Sequence, residues 1–356
     1  MIAKPLIYLK HFCFFIIIVT SIRSACSAEI PVIIKYPNQS SKIILTSFEG
    51  NNLVFRPMGS DDGGRIFIKI EELISQHAQL NFLFPEDFYE AVEQFESGEV
   101  IRSISIIGKY ADPLVPYLDL SNIPGNMIPS ILVYLEALKK AEYWEKVIDL
   151  ATQIPLSSAP PEAMDYVGKL ALLLYDSDRS NDFDRLYFHI LDQQDLALSH
   201  LRSLMYLAKE LRIRDDYLKA FHLYRKIQIN DGSLEVLARL WVSYCSFYLG
   251  HDIVPEIFLE ELEKLDVSEQ GYALGELIKA RLCIRDGDFH TAMRFAAKGR
   301  IHAKATDVYY PELLYVVASL YNELGYTKAS KSTLSELRLL FPENRWSHKD
   351  LNIPSN

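Results

Sequence analysis

The sequence predicts a mainly α protein: an α-solenoid of about seven helix–turn–helix pairs, preceded by a small all-β segment. Three observations predict it. Residues 30–84 hold short runs rich in Ile, Val and Phe, separated by turn residues. From Pro85 onward the apolar residues recur at helical rather than alternating spacing. Within that second region, small and aromatic residues return at similar intervals around a Gly or Asp. A hydrophobic fraction of 49% in 356 residues suits a folded chain with room for a small domain and an elongated array.

The first 28 residues are of another kind. Lys4 and Lys10 precede the apolar run FCFFIIIVTSI, which gives way to the small-residue stretch SACSAE. Basic, apolar and small in that order is the pattern of a secretory signal, with cleavage expected near Ala28. Two other readings stay open. Cys26 would be the acylated residue of a lipoprotein, although Arg23 stands where an aliphatic side chain is wanted; the run would otherwise remain as an uncleaved anchor, although it is short for a span of ~20 residues. The formal charge is −10; losing residues 1–28 takes away Lys4, Lys10 and Arg23 and no acid, leaving −13. Without a basic patch, such a chain repels phosphate backbones and anionic headgroups, which argues against nucleic acid as a partner. Cys245 and Cys283 are the two cysteines beyond the signal, 38 residues apart in helical patterns. They read as buried apolar side chains ahead of a disulfide.

Residues 29–84 form the β segment. VIIKY, KIILTSF, NLVFRPM, RIFIKI and LNFLF read as five strands, with PNQSS, EGNN and GSDDGG between them. A small barrel of SH3-like or Sm-like type is one form that five such strands take. The two aspartates of GSDDGG lack the further ligands of a cation loop and read as a polar hairpin tip.

Residues 85–345 form the helical region. In LAKELRIRDDYLKAFHLYRKI, Ala208, Asp215, Tyr217, Ala220 and Tyr224 set the pattern. Ala280, Gly287, Phe289 and Ala292 repeat it, as do Ala91, Gly98 and Ser103, then Ala141, Trp144, Val147 and Ala151, and Tyr321, Gly325, Tyr326 and Ala329. A small residue lets paired helices approach, a Gly or Asp relieves the tight turn, an aromatic plugs the seam, and a second small residue admits the next pair. The turn near Asp182 and Phe183 reads as irregular, and Pro255 falls in a second helix where a small residue is expected. The proline-rich stretch 110–130 breaks the array and reads as an ordered excursion capping the β segment; 153–163 reads as a simple loop, and 346–356 as a frayed polar tail.

These residues resemble the tetratricopeptide repeat, a helix–turn–helix unit of about 34 residues. The resemblance implies an interaction scaffold in which the first helix of each pair lines a concave face that takes an extended peptide or a partner helix. On that face the residues at one-turn spacing are Arg202, Tyr206, Lys209 and Arg212, then Trp241, Tyr244 and Tyr248, then Arg281 and Arg285, and finally Tyr315 and Tyr321. Basic and aromatic residues together suit an acidic or C-terminal peptide segment. The competing reading makes the aromatics inter-helix core and the arginines a solvated face.

No metal-protease, phosphate-loop, nucleophile-elbow or Cys-x-x-Cys motif occurs in the sequence. His290 follows Asp286 and Asp288 at a repeat turn, and the other helical histidines stand singly; neither arrangement forms a catalytic or metal-binding constellation. The expectation is therefore a non-enzymatic scaffold without cofactor, exported to a bacterial cell envelope and residing in the periplasm. Outer-membrane assembly, cell-wall coordination and Tol- or TonB-type energy coupling are the roles implied by resemblance. The alternative is a carbohydrate- or peptidoglycan-binding module, or a periplasmic enzyme accessory.

Overall fold

The computed structural model describes residues 29–59, 64–230, 234–250, 262–269 and 271–351. The expected signal at 1–28, positions 60–63 of the GSDDGG tip and Pro255 lie outside them. The described chain divides into two compact units, one of residues 29–86 with Ile123–Asn126, the other of residues 87–122 and 127–351.

The first unit is a five-stranded antiparallel sheet. Strands β1 (Ile30–Lys35), β2 (Ser40–Glu49), β3 (Asn52–Pro57), β4 (Ile66–Lys69) and β5 (Gln79–Phe82) lie in the order β4-β3-β2-β1-β5. All five fall on the predicted apolar runs. β1 alternates in burial, with Val32 and Ile34 turned inward, as a half-covered strand should. β3 does not alternate: Leu53, Val54 and Phe55 are all 0% exposed. A strand buried at successive residues is covered on both faces. A short helix, α1 (Ile70–Ser75), connects β4 to β5 and buries Leu73.

The proline-rich excursion contributes Ile123–Asn126 to this unit. The Leu80 amide donates to the Pro124 carbonyl (2.8 Å), and the Asn126 side chain bridges the Phe82 amide and carbonyl at 2.8 Å each. Gly125 lies so close to β5 that a Cβ built there would stand 1.9 Å from the Leu80 carbonyl oxygen. Only glycine fits that approach.

The second unit is a run of helix pairs. In chain order these are α2 (Glu86–Glu96) with α3 (Val100–Ala111), α4 (Met127–Lys140) with α5 (Trp144–Ala151), α6 (Pro161–Asp176) with α7 (Ser180–Asp192), and α8 (Leu198–Ile213) with α9 (Tyr217–Asn230). α10 (Glu235–Tyr248) follows, then α11 (Tyr272–Arg285) with α12 (Phe289–His302), and α13 (Tyr310–Glu323) with α14 (Thr327–Leu340). From α3 to α10 each helix packs on its neighbour in sequence or the next but one, and α10 to α14 continue the pattern, as an array of repeats requires. Between α3 and α4 the chain runs as a 3-10 helix, Asp112–Leu120; Pro113 and Pro116 remove donors that an α-helix would use, while Leu114, Tyr117, Leu118 and Leu120 are buried.

One turn geometry joins the members of each pair. Gly98, Glu142, Asp178, Asp215, Gly287 and Gly325 all have positive φ, between 56° and 103°. In each turn the following amide bonds five residues back: Glu99 to Gln94, Tyr143 to Leu138, Arg179 to Leu174, Asp216 to Leu211, Asp288 to Cys283, Tyr326 to Tyr321. This is a Schellman-type stop, which satisfies a last-turn carbonyl as the chain reverses. Gly250 after α10 shares the positive φ. The turn that reads as irregular near Asp182 is thus regular, with Asp178 as its left-handed residue.

That turn fixes which residue faces the seam. The fourth residue of each second helix is fully buried: Ser103, Val147, Phe183, Ala220, Ala292 and Ser330 are 0–1% exposed. In the last pair the seam residue is Ser330 rather than the expected Ala329, which is only partly buried; the Ser330 hydroxyl donates to the Ala318 carbonyl at 2.8 Å. The expected polar tail also differs. Arg345–His348 forms a 3-10 turn with Trp346 only 5% exposed, because its indole covers Leu314, Ala318, Leu334 and Leu337. Among the described residues the two cysteines are free thiols, Cys245 buried and Cys283 partly so.

Three substitutions test these arrangements. Replacing Ala220 or Ala292 by leucine forces extra methylenes into a closed seam and should cost ~1–3 kcal/mol, read from chemical or thermal unfolding. Gly125→Ala should push the 123–126 segment off β5, so that the Leu80 and Phe82 amides exchange with solvent faster while the helical unit is unchanged.

Candidate functional site

The face built by the first helices is where chemistry concentrates. α8, α10, α11 and α13 each contribute to it, and the registers follow from the common turn. α8 brings Arg212; α10 brings Trp241, Tyr244 and Tyr248 on one stripe; α11 brings Arg281; α13 brings Glu312 and Tyr315. Tyr217 and Tyr224 reach in from α9.

Its rings form a continuous chain. Tyr224 stacks on Trp241 (centroids 5.8 Å apart), Trp241 meets Tyr244 edge-on at 5.2 Å, Tyr244 lies 4.9 Å from Tyr248, and Tyr248 stacks on Tyr217 at 4.6 Å with planes 8° apart. Such contacts are each worth ~0.5–1.5 kcal/mol beyond the area they bury.

Two arginines sit in this aromatic bed with unlike partners. Arg281 is paired: its Nε and Nη2 donate to Glu312 Oε1 at 3.0 and 2.8 Å. The same carboxylate accepts from the Tyr248 hydroxyl at 2.5 Å and from the Tyr244 hydroxyl. Glu312 is 1% exposed, and these four donors are what permit a carboxylate there. Burial by itself would loosen the Arg281 proton, but Glu312 and then Tyr248 outweigh it and hold the guanidinium above its usual pKa. The Tyr244 hydroxyl is pushed well up, first by burial and then by the Glu312 charge.

Arg212 has no carboxylate. It is 3% exposed, its guanidinium lies 4.0 Å from the Trp241 ring centroid and 5.4 Å from that of Tyr244, and its Nε and Nη2 have no hydrogen-bond partner. Burial pulls its pKa down, and Tyr224 and Tyr244 more than restore it. The charge is stabilised by the faces of rings rather than by an anion.

A short segment from the end of the chain lies on this surface. Trp346 packs against Tyr315 (5.1 Å) and beneath the Arg281 guanidinium (5.1 Å). Arg345 donates to the Tyr217 hydroxyl at 2.9 Å and forms an ion pair with Asp215. Side chains from α9, α11 and α13, with the α8–α9 turn, thus hold a turn of four residues.

Against the expected site residues, the structure divides the list. Arg212, Trp241, Tyr244, Tyr248, Arg281 and Tyr315 come together on one face as predicted. Arg212, Trp241 and Tyr244 are nonetheless closed to solvent, so the peptide contact expected of them is corrected: they are inter-helix core. Tyr248 is partly buried, with its hydroxyl committed to Glu312. Arg202 and Tyr206 remain exposed on α8, Tyr206 at 47%, with the Lys209 ammonium 5.7 Å from its ring. Arg285 is exposed and bonds its own neighbour Asp286 at 3.2 Å. Tyr321 is apart from the cluster, meeting Tyr326 edge-on at 6.3 Å.

Elsewhere, no group of His, Cys, Asp and Glu among the described residues could hold a metal ion. Asp288, beside His290, instead caps α12 by accepting from the Thr291 amide at 3.0 Å. Burial pushes the Cys245 thiol up to about 12, which keeps it protonated and unreactive at neutral pH. No helix among the described residues is long and apolar enough to cross a membrane.

The fold and the site define a helical-repeat protein whose first helices form a side-chain surface that grips a short segment. No family model matches the sequence, and no curated protein matches it. Among solved structures, one similar chain belongs to the structure of Naa15/Naa10 bound to HypK-THB: 14% identity and a TM-score of 0.37, over 72% of this chain and 37% of that one. This chain therefore spans little more than a third of that neighbour's length.

The Glu312 carboxylate gives the sharpest stability test of the cluster. Glu312→Gln should leave Arg281 buried without a counterion and cost ~3–5 kcal/mol, seen as a lower Tm. An unchanged Tm would mean that Arg281 finds another acceptor.

Proposed function

We propose that this chain is an exported, non-enzymatic protein-interaction scaffold of the cell envelope, whose first-helix surface takes a short segment of a partner protein. One observation carries the reading: side chains from several consecutive repeats converge to hold a four-residue turn through an indole and a guanidinium. A surface that holds a turn of its own chain has the pockets and donors that hold a peptide. The exposed Arg202 and Tyr206, with Lys209, extend the aromatic–basic pattern along α8 and provide a rim for such a partner. The order of basic, apolar and small residues in 1–28 supports export, and the absence of a basic patch supports a protein rather than a nucleic acid as the partner.

The experiment is photo-crosslinking from residue 206 in intact cells, followed by mass spectrometry. It should yield a discrete protein adduct, and no adduct from residue 206 or 202 overturns the reading. Intact-mass analysis of the envelope fraction should give a mature chain beginning near Glu29. A species beginning at Met1 in the cytoplasm would overturn export.

A further inference from the structure

The turn Arg345–His348 is tied to its surface by a good anchor and a poor set of charges. The anchor is Trp346, which is 5% exposed against Tyr315, Leu314 and Leu337. Three cations surround its ring: Lys349 at 4.1 Å, Arg345 at 5.0 Å and Arg281 at 5.1 Å. Two of them, Arg345 and Lys349, arrive with the turn. Arg212 and Arg281 are already there, and the carboxylates facing the group are Glu312, which holds four donors, and Asp215, whose side chain is 62% exposed.

The same crowding of positive charge acts on the titrating groups. Burial and then the Arg212 charge press Arg345 below its usual pKa; burial, Arg345 and Arg281 press Lys349 down, with Glu312 opposing. Even with the turn in place, Arg212 is buried and its Nε and Nη2 have no hydrogen-bond partner. That surface favours a ligand with the indole and without the extra positive charge.

We propose that Arg345–Lys349 is a built-in occupant of the peptide surface, and that the partner is a short segment carrying an aromatic residue with an acidic residue nearby, which displaces it. The inference rests on the scaffold reading and names the partner chemistry and regulation of the same site. The turn starts five residues beyond the end of α14 at Leu340, so it competes in cis at an effective concentration of about millimolar. An incoming segment must either outbid that concentration or meet a chain whose tail has already let go.

The probes are a synthetic copy of residues 342–351 and its Lys349→Glu version, titrated into the full chain. On wild type both should bind at least ~10-fold more weakly than on Trp346→Ala, whose own tail has lost its anchor. The Lys349→Glu probe should bind ~3-fold or more tighter than the unaltered copy, with the gap narrowing as salt rises. Arg345→Ala, which keeps the indole and breaks the ties to Asp215 and Tyr217, is the second variant. It should speed amide exchange at 344–351 while α13 and α14 stay protected, and should raise probe affinity.

Equal probe binding by wild type and both variants, or none by any of them, overturns the proposal. So does loss of protection across α13 and α14 together with the turn in both variants, since Trp346 is then only the end cap of the array. A Lys349→Glu probe that binds more weakly overturns the acidic partner. A crosslinked partner at residue 206 with no probe binding would leave the scaffold standing and this inference fallen.

Discussion

Everything in the helical unit depends on one backbone constraint, the left-handed residue between the two helices of a pair. With φ held positive at Gly98, Glu142, Asp178, Asp215, Gly287 and Gly325, the next amide is aimed five residues back, and the second helix starts two residues later. The angle and phase of that helix follow. Its fourth residue must then face the seam, so Ser103, Val147, Phe183, Ala220, Ala292 and Ser330 are buried whatever their chemistry. Three of the six turns use glycine. The others use Glu or Asp and accept the steric cost of a Cβ at positive φ. They can do so because the packed helices on either side leave the chain nowhere else to go.

That constraint explains what the sequence made legible. Gly and Asp punctuate helices by a mechanism, so turns at Asp215, Gly287 and Gly325 could be placed from residue type, and the apolar phase around them followed. Glu142 gives no such signal, because a glutamate is ordinary inside a helix. At Asp182 the pattern reads as irregular because several aspartates stand close together, and Asp178 is the one that turns. The seam in the last pair was misplaced by one residue because an alanine, Ala329, stands beside the serine that does the work. A serine whose hydroxyl returns to the Ala318 carbonyl serves as a small buried residue, but its type alone reads as polar.

The aromatic and arginine face was legible in position and misjudged in state. Helical spacing alone places Arg212, the α10 aromatics, Arg281 and Tyr315 on one side, and they are. Spacing cannot say what lies over them. Two residues missing from the expected set decide that. Glu312 sits in an otherwise apolar stretch, PELLYVVASL, and a lone acid there was a signal of a buried partner for an arginine. Trp346 sits in a polar tail, and a large indole among charged residues was a sign that the tail is not frayed. Both are recognisable as buried polar or misplaced apolar residues. The donors that hold Glu312 lie 31 to 68 residues away, and Trp346 rests on Tyr315 and Arg281 of earlier helices, beyond the reach of local patterns.

The closure of the β sheet by Gly125 has a consequence for the order in which the chain is assembled. β5 is complete in sequence at Phe82, yet the Leu80 and Phe82 amides find their acceptors at Pro124 and Asn126, after the whole of the first helix pair has been made. The small unit is therefore not a prefix of the chain. A fragment ending at residue 86 lacks those acceptors, and as the chain emerges N-terminus first, the β unit waits some forty residues for its last edge. The first helix pair is a loop inserted into the β unit, and the order of synthesis differs from the order of domains.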